Sequence, residues 1–332
     1  MNGRIIGVIL RETALLITVI LILSTLIASS EATLQKESPL SELHQGKLLN
    51  RTEEYLRFSV DVFKNENEKV VTITKDNSTF IYHIQTPHSL FVSSIGTTPI
   101  MSILLTLTIL STSLLLILIF GTLWGLRAGY GGGILDRVLR ILGPLFSAIP
   151  GWFWAVALLW ILWWKLNVLP LSYIDYIHRT SVEGRVTIFT HLKGLALPIL
   201  TLTIVNVPVY AMMVRNLIIK EKDEDYVTID ILKGLPDGWI ERKLLRVVLP
   251  SFLTFTSYSF LNLLMNDMAV EILFNVPGIG RTFSVGVMML IFFQNGDMLF
   301  FASLIMSIMY FANTSILESL YLKLDPRVRR DA

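Results

Sequence analysis

Hydrophobic residues in this chain are gathered in long blocks. Runs free of Asp, Glu, Lys and Arg cover residues 13–30, 141–164, 194–214, 247–266 and 298–317. The longest such run ends at Leu126, and its apolar part starts near Thr97. About 20 mostly apolar residues, rising about 1.5 Å each, cross the hydrocarbon core of a bilayer. These blocks therefore predict six transmembrane helices. Residues 282–296 are also uncharged but number only 15, which predicts an interfacial or re-entrant helix rather than a seventh span. The first block reads as a retained anchor rather than a cleaved signal peptide, because Arg11 and Glu12 stand close before it and no clean Ala-x-Ala site follows. The polar stretch from about 29 to 96 holds two β-prone runs, 70–74 and 79–84, flanking Lys75-Asp76-Asn77-Ser78, the pattern of a hairpin. It fits either a small extracytoplasmic subdomain or a partly ordered loop. The chain thus divides into an N-terminal anchor (1–28), an outer loop or subdomain (29–96) and a membrane core (97–332).

Composition agrees with the pattern. Of 332 residues, 53% are hydrophobic and 16% charged, with a mean hydropathy of +0.61; an average soluble domain has about 25% charged residues. A soluble enzyme, a disordered chain and a nucleic-acid binder are all disfavoured, and a net charge of +2 offers no general attraction to polyanions. The absence of Cys excludes disulfides, thiolate catalysis and Cys-ligated metals. The few charges instead report topology. One side of the predicted membrane collects 15 basic residues: Arg4, Arg11, Arg127, Arg137, Arg140, Lys220, Lys222, Lys233, Arg242, Lys243, Arg246, Lys323, Arg327, Arg329 and Arg330. The short loops of the other side hold Lys165, Arg179, Arg185, Lys193 and Arg281. By the positive-inside rule both termini are expected in the cytoplasm, with the chain a multi-pass protein of the cell membrane.

Little in the chain suggests catalysis. The five histidines, His44, His83, His88, His178 and His191, scatter over the predicted outer side without helix-paired metal spacing, so no metal site is expected. Gly129-Tyr130-Gly131-Gly132-Gly133 lacks the Gly-Lys-Ser/Thr of a phosphate loop and reads as a flexible turn. No nucleophile elbow or metalloprotease helix is present, so no enzyme and no cofactor bound by this chain is expected.

The polar segment of most interest is 220–249, with six basic and seven acidic residues. Asp225–Leu232 suits a short helix, Gly234 a stop or tight turn, and Pro236-Asp237 the start of a second helix. In that second helix Trp239, Ile240, Leu244, Leu245 and Val248 share one apolar face, away from Glu241, Arg242 and Lys243. Physics alone allows both an ordinary amphipathic surface helix and a docking element for a soluble partner.

Asp225-Tyr226-Val227, Lys233-Gly234-Leu235-Pro236 and Leu249-Pro250 together resemble the coupling motif of ABC importer permeases of the oligopeptide, dipeptide and nickel family. Further matches are collinear: Leu135-Asp136-Arg137, Ile149-Pro150 with Phe153-Trp154, Leu197-Pro198, and Arg215 ten residues before Asp225. The segment from Glu271 to Gly280 resembles the family's Glu-x-x-Phe-x-x-Pro-Gly-Leu-Gly, and Leu324-Asp325-Pro326-Arg327-Val328-Arg329 its C-terminal signature. The resemblance covers about residues 99–332. Two positions depart from it, since Asp230 and Leu232 stand where small residues, usually alanine, are common in the family.

The resemblance implies an all-α polytopic fold of six transmembrane helices, the type I importer permease fold. It further implies a second homologous permease subunit, two ATP-binding cassette ATPases that bind the ATP and Mg²⁺, and an extracytoplasmic substrate-binding protein. ATPase coupling would fall to Asp225, Tyr226, Asp230, Lys233, Gly234, Leu235 and Pro236. Candidates for the pathway or outer gate are Asp267, Glu271, Pro277, Gly278 and Gly280. Asp267 and Glu271 are four apart on one helix face; simple solvation at a helix end is the plainer expectation for Asp267, and loop anchoring an equal one for Glu271. Glu318 is expected to snorkel or to pair with Lys323, and Pro150, Pro198 and Pro208 to kink spans. Peptide import is the leading function. Uptake of nickel or another metal chelate is an alternative, as is a non-transporting membrane scaffold or sensor, to which the acid at Asp230 lends weight.

Overall fold

The computed structural model describes residues 2–36, 48–66, 68–75, 78–166 and 168–324. His44, the Asp76-Asn77 turn and the C-terminal signature from Asp325 onward lie outside the described residues. The fold is almost wholly helical. Helix α1 (Asn2–Lys36) is followed by α2 (Leu48–Asp61), strands β1 (Glu68–Lys75) and β2 (Ser78–Gln85), and α3 (Pro87–Ile95). Then come α4 (Pro99–Gly131), α5 (Gly133–Ala148), α6 (Gly151–Leu159) with a π-helical turn at Trp160–Lys165, and α7 (Tyr173–Val182). Helices α8 (Ile188–Lys222), α9 (Asp225–Leu232), α10 (Asp237–Leu273), α11 (Ile279–Phe293) and α12 (Asp297–Leu324) complete it.

Among the described residues four helices are long and apolar enough to cross a membrane alone: Ile5–Leu34, Pro99–Gly131, Ile188–Lys222 and Asp297–Lys323. Counting each of two bent pairs as one span, Gly133–Ala148 with Gly151–Lys165 (105°) and Asp237–Phe252 with Thr254–Leu273 (58°), gives up to six. The third predicted span, 141–164, is thus not one helix. Pro150 has no N–H to donate and holds Ile149 extended (φ −101°, ψ 129°), which ends α5. Phe146 and Trp154 then stack across the corner, ring centroids 4.2 Å apart. Pro250 lies inside α10 shortly before its bend, whereas α8 continues through Pro198 and Pro208. The short uncharged stretch after Arg281 forms α11, too short to span, as its length predicts.

The chain packs as two compact units. The first joins Met1–Glu12, Thr108–Phe274 and Ala312–Ala332. Its core is built on close helix approach. Gly121, Gly125 and Gly129 of α4 face α8, where an added Cβ would meet Tyr210 Cδ1 at 2.8 Å, the Ala211 carbonyl oxygen at 2.5 Å and Ile218 Cβ at 2.9 Å. The sequence reading of Gly129 and Gly131 as part of a flexible turn is corrected here: both are helical, and only Gly132 and Gly133 (φ 64° and 71°) form the joint between α4 and α5. Asp136 of α5 pairs with Arg215 of α8 and, at 2.8 Å, with Arg140. Glu318 pairs with Arg11 of the first helix, which also pairs with Glu12 at 2.7 Å.

The second unit joins Thr13–Leu107 and Asn275–Phe311. Strands β1 and β2 pair antiparallel from Glu68↔Gln85 to Lys75↔Ser78, the expected hairpin. Tyr55 of α2 stacks on Phe300 (5.1 Å), and Phe91 of α3 meets Phe301 edge-on (5.6 Å). Glu31 of α1 accepts the Gly296 N–H at 2.6 Å and lies 3.6 Å from Arg51 of α2. Among the described residues of 29–96, Tyr55 and Phe91 are buried in core contacts.

Candidate functional site

Helix α9 and the turn after it follow from local sequence. Asp225 sits in the first turn of α9, where the N-terminal end of the helix dipole favours an acid. Lys233 caps the C-terminus, its N–H on the Ile229 carbonyl at 3.0 Å. Gly234 takes φ 71°, a left-handed conformation that glycine adopts without a Cβ clash, and its N–H bonds the Ile231 carbonyl at 2.9 Å. Pro236 then caps α10 at φ −67°, which its ring pre-sets. The expected helix–glycine–helix element is present with the expected limits.

Around it the first unit supplies a set of anchors. Val227 of α9 and Ile240 and Leu244 of α10 are buried. Asp230, only 6% exposed, is ion-paired with Lys243. The Lys243 Nζ also lies 4.7 Å from the Tyr226 ring centre and 5.7 Å from that of Trp239. The Tyr226 hydroxyl donates to Glu221 Oε1 at 2.8 Å. Burial first, then the bond to Glu221, holds the Tyr226 phenol above its ordinary range, so it stays a donor. Tyr130, at the end of α4, donates to Asp237 Oδ1 at 2.6 Å and accepts the Lys222 ammonium on its carbonyl at 2.7 Å. The ends of α4 and α8 and the start of α10 thus meet at one tyrosine.

This element leaves both apolar and charged side chains exposed. Leu232 is 81% exposed, Trp239 50%, and Ile229 and Ile231 are also open, ringed by Asp225, Lys233, Gly234 and Pro236. Isolated exposed leucines need no explanation, but four large apolar side chains on one protruding turn mark a contact surface. Of the predicted coupling residues, Asp225, Lys233, Gly234 and Pro236 are exposed, Tyr226 and Leu235 half-buried, and Asp230 is inside. Sequence reading did not single out Glu221, Lys243 or Tyr130. The one signal available was Lys243 at i+13 from an acid placed on the neighbouring helix, visible only once both helices are paired.

The outer candidates are buried throughout. Asp267 is 1% exposed and Glu271 0%. Solvation of Asp267 at a helix end is therefore overturned, because the four-residue spacing faces both acids inward. Among the described residues Asp267 Oδ1 has no hydrogen-bond partner. In the second unit Pro277, Gly278 and Gly280 are also buried. There Ser102 donates to the Pro277 carbonyl, the Ile279 N–H to Thr106 Oγ1 at 2.8 Å, and Thr282 to the Gly278 carbonyl at 2.8 Å. Asn275, at φ 51°, is held by Arg281. Among the described residues no three His, Asp or Glu side chains gather to hold a metal ion.

Residues 121–330 match the sequence profile of the family described as "Binding-protein-dependent transport system inner membrane component". The chain is 27% identical over 236 residues to the "Probable D,D-dipeptide transport system permease protein DdpB" of Escherichia coli, which covers 66% of this chain and 68% of that one. It is 26% identical over 172 residues to the "Dipeptide transport system permease protein DppB" of Lactococcus lactis (50% of this chain, 52% of that one). It is 26% identical over 179 residues to the "Metal-staphylopine import system permease protein CntB" of Staphylococcus aureus (53% and 52%).

Proposed function

The chain belongs to the family of binding-protein-dependent transport system inner membrane components, a multi-pass permease of the ABC importer class, and from that premise we propose that it forms one membrane half of an ATP-driven importer of small peptides. The other half is a second, homologous permease. Two cytoplasmic ATPases bind the ATP and Mg²⁺, and an extracytoplasmic binding protein delivers the substrate. The observation that carries this reading is the exposed apolar turn from Ile229 to Trp239, anchored at its base and open at its tip. Such a tip suits a cleft on an ATPase, and an anchored base suits a lever. Closure of the ATPase pair on ATP would displace α9, and α10, which follows it after four residues, would carry the displacement into the bilayer.

Peptides are supported by the printed names of the DdpB and DppB relatives. Uptake of a metal chelate stands as a second reading because of the likeness to CntB. The scaffold or sensor alternative loses the weight that Asp230 lent it, since that acid is buried and paired with Lys243. Co-purification with an ATPase, followed by ATP-driven uptake in proteoliposomes, tests the reading. Labelled trialanine is expected to accumulate and a labelled nickel chelate is not; the reverse result would transfer the chain to the metal reading. Lys233→Glu with Gly234→Val is expected to abolish ATPase retention, and unchanged assembly and uptake would remove the coupling role from this turn.

A further inference from the structure

Asp230 holds its charge where a charge is costly, paired with a Lys243 that is only partly exposed. The acid is nearly excluded from solvent and the ammonium is boxed by two aromatic rings, with Asp230 and Tyr226 on α9 and Lys243 and Trp239 on α10. The net stability of such a pair against an apolar substitute is small or negative. What it does supply is geometry. The four residues between α9 and α10 include Gly234 in a left-handed conformation, a joint with little stiffness of its own. Apolar burial of Val227, Ile240 and Leu244 is non-directional. A charge-assisted hydrogen bond at low local dielectric resists both stretching and rotation. Tyr226, bonded to Glu221, adds the end of α8 to the same assembly.

We propose that the Asp230–Lys243 pair, walled by Tyr226 and Trp239, is a latch that fixes the angle between α9 and α10, so that motion imposed on α9 reaches the fifth span instead of being absorbed at Gly234. Asp230 and Lys243 are positioning residues, and the proposal rests on the importer reading above. It accounts for an acid at a position where the family commonly carries a small residue.

The test uses the complete transporter in lipid nanodiscs. The chain has no cysteine, so Tyr258→Cys, an exposed site beyond the α10 bend, carries a single bimane label. Three readouts are taken: the amount of ATPase co-purified, the ATP hydrolysis rate, and the bimane change on adding ATP. K243M leaves the buried Asp230 carboxylate unpaired and D230N leaves the partly exposed Lys243 without its partner, so they are compared with D230E and K243R, and with the double variant D230N/K243M, which has no lone charge to destabilise it. The double variant is expected to retain the ATPase and hydrolyse ATP within about twofold of wild type, as for a well-placed neutral replacement, while its bimane change falls by about fivefold or more. D230E and K243R are expected to keep most of that change. A double variant with the wild-type bimane response, or conservative variants as impaired as the neutral ones, overturns the latch while leaving the importer reading intact. Failure of the wild-type chain to retain any ATPase overturns both.

Discussion

Single residues fix how closely the helices approach. Gly121, Gly125 and Gly129 recur every fourth position and so form one stripe of α4, the spacing that lets helices meet backbone to backbone in a bilayer. Gly125 is the tightest, with the Ala211 carbonyl oxygen 2.5 Å and Val214 Cβ 2.6 Å from where a Cβ would stand. Gly125→Val is predicted to cost about 3 kcal/mol or more, since neither neighbour is the loose end of a flexible chain. Gly131, in the same helix with nothing within 4 Å of the added atom, is predicted to accept alanine with a gain of about 0.5 kcal/mol. Thermal unfolding in detergent separates the two, and equal melting shifts would contradict the packing account. A second residue-scale prediction concerns Asp267. Asp267 and Glu271 are both buried and stand four residues apart, and an amide in place of Asp267 is an uncharged donor at that distance. Asp267→Asn is predicted to melt within about 0.5 kcal/mol of wild type; a much larger loss would mean that the free acid is needed at this position.

At the scale of elements, the sequence was most legible where local chemistry decides the outcome. Asp225, Gly234 and Pro236 set the limits of α9 and α10 by capping, left-handed backbone and fixed φ, none of which needs a distant partner. The 70–85 hairpin was legible for the same reason. The third span was not, because a charge-free run records hydrophobicity and not direction, and Pro150 can bend a helix slightly or break it. Here it breaks it, with α5 and α6 turned by 105°. The pairing of Asp136 with Arg215 was likewise hidden, although both residues stood in recognised motifs, since 79 positions separate them. The bend is testable in this cysteine-free chain. Spin labels at Val138→Cys and Trp164→Cys, both exposed, report the separation of the two arms. Pro150→Ala restores the missing N–H and frees Ile149 for helical angles. The distance distribution is predicted to broaden toward longer values, and an unchanged distribution would show that packing across the corner, such as Phe146 on Trp154, holds the bend without the proline.

For the whole molecule, orientation follows from charges too few to serve any other general purpose. The 15 basic residues on one predicted side against five in the short loops of the other are a strong bias, and the excess includes the turn that must meet an ATPase if the chain works as an importer. Two requirements of the importer reading therefore fall on the same segment: lysines and arginines that would be retained on the cytoplasmic side during insertion, and an exposed turn that would be accessible to a soluble, ATP-binding partner. They also agree on the outer side for α7, whose Arg179 lies in the loop between the third and fourth spans. Single-cysteine variants Leu232→Cys and Arg179→Cys place both faces in one measurement. In intact cells a membrane-impermeant maleimide is predicted to label Arg179→Cys at least tenfold faster than Leu232→Cys, and in inside-out vesicles the order is predicted to reverse. Labelling of Leu232→Cys from outside the cell would put the turn between α9 and α10 on the wrong side of the membrane for an ATP-driven partner. Charge bias and proposed mechanism would then fail together, because the same few residues carry both.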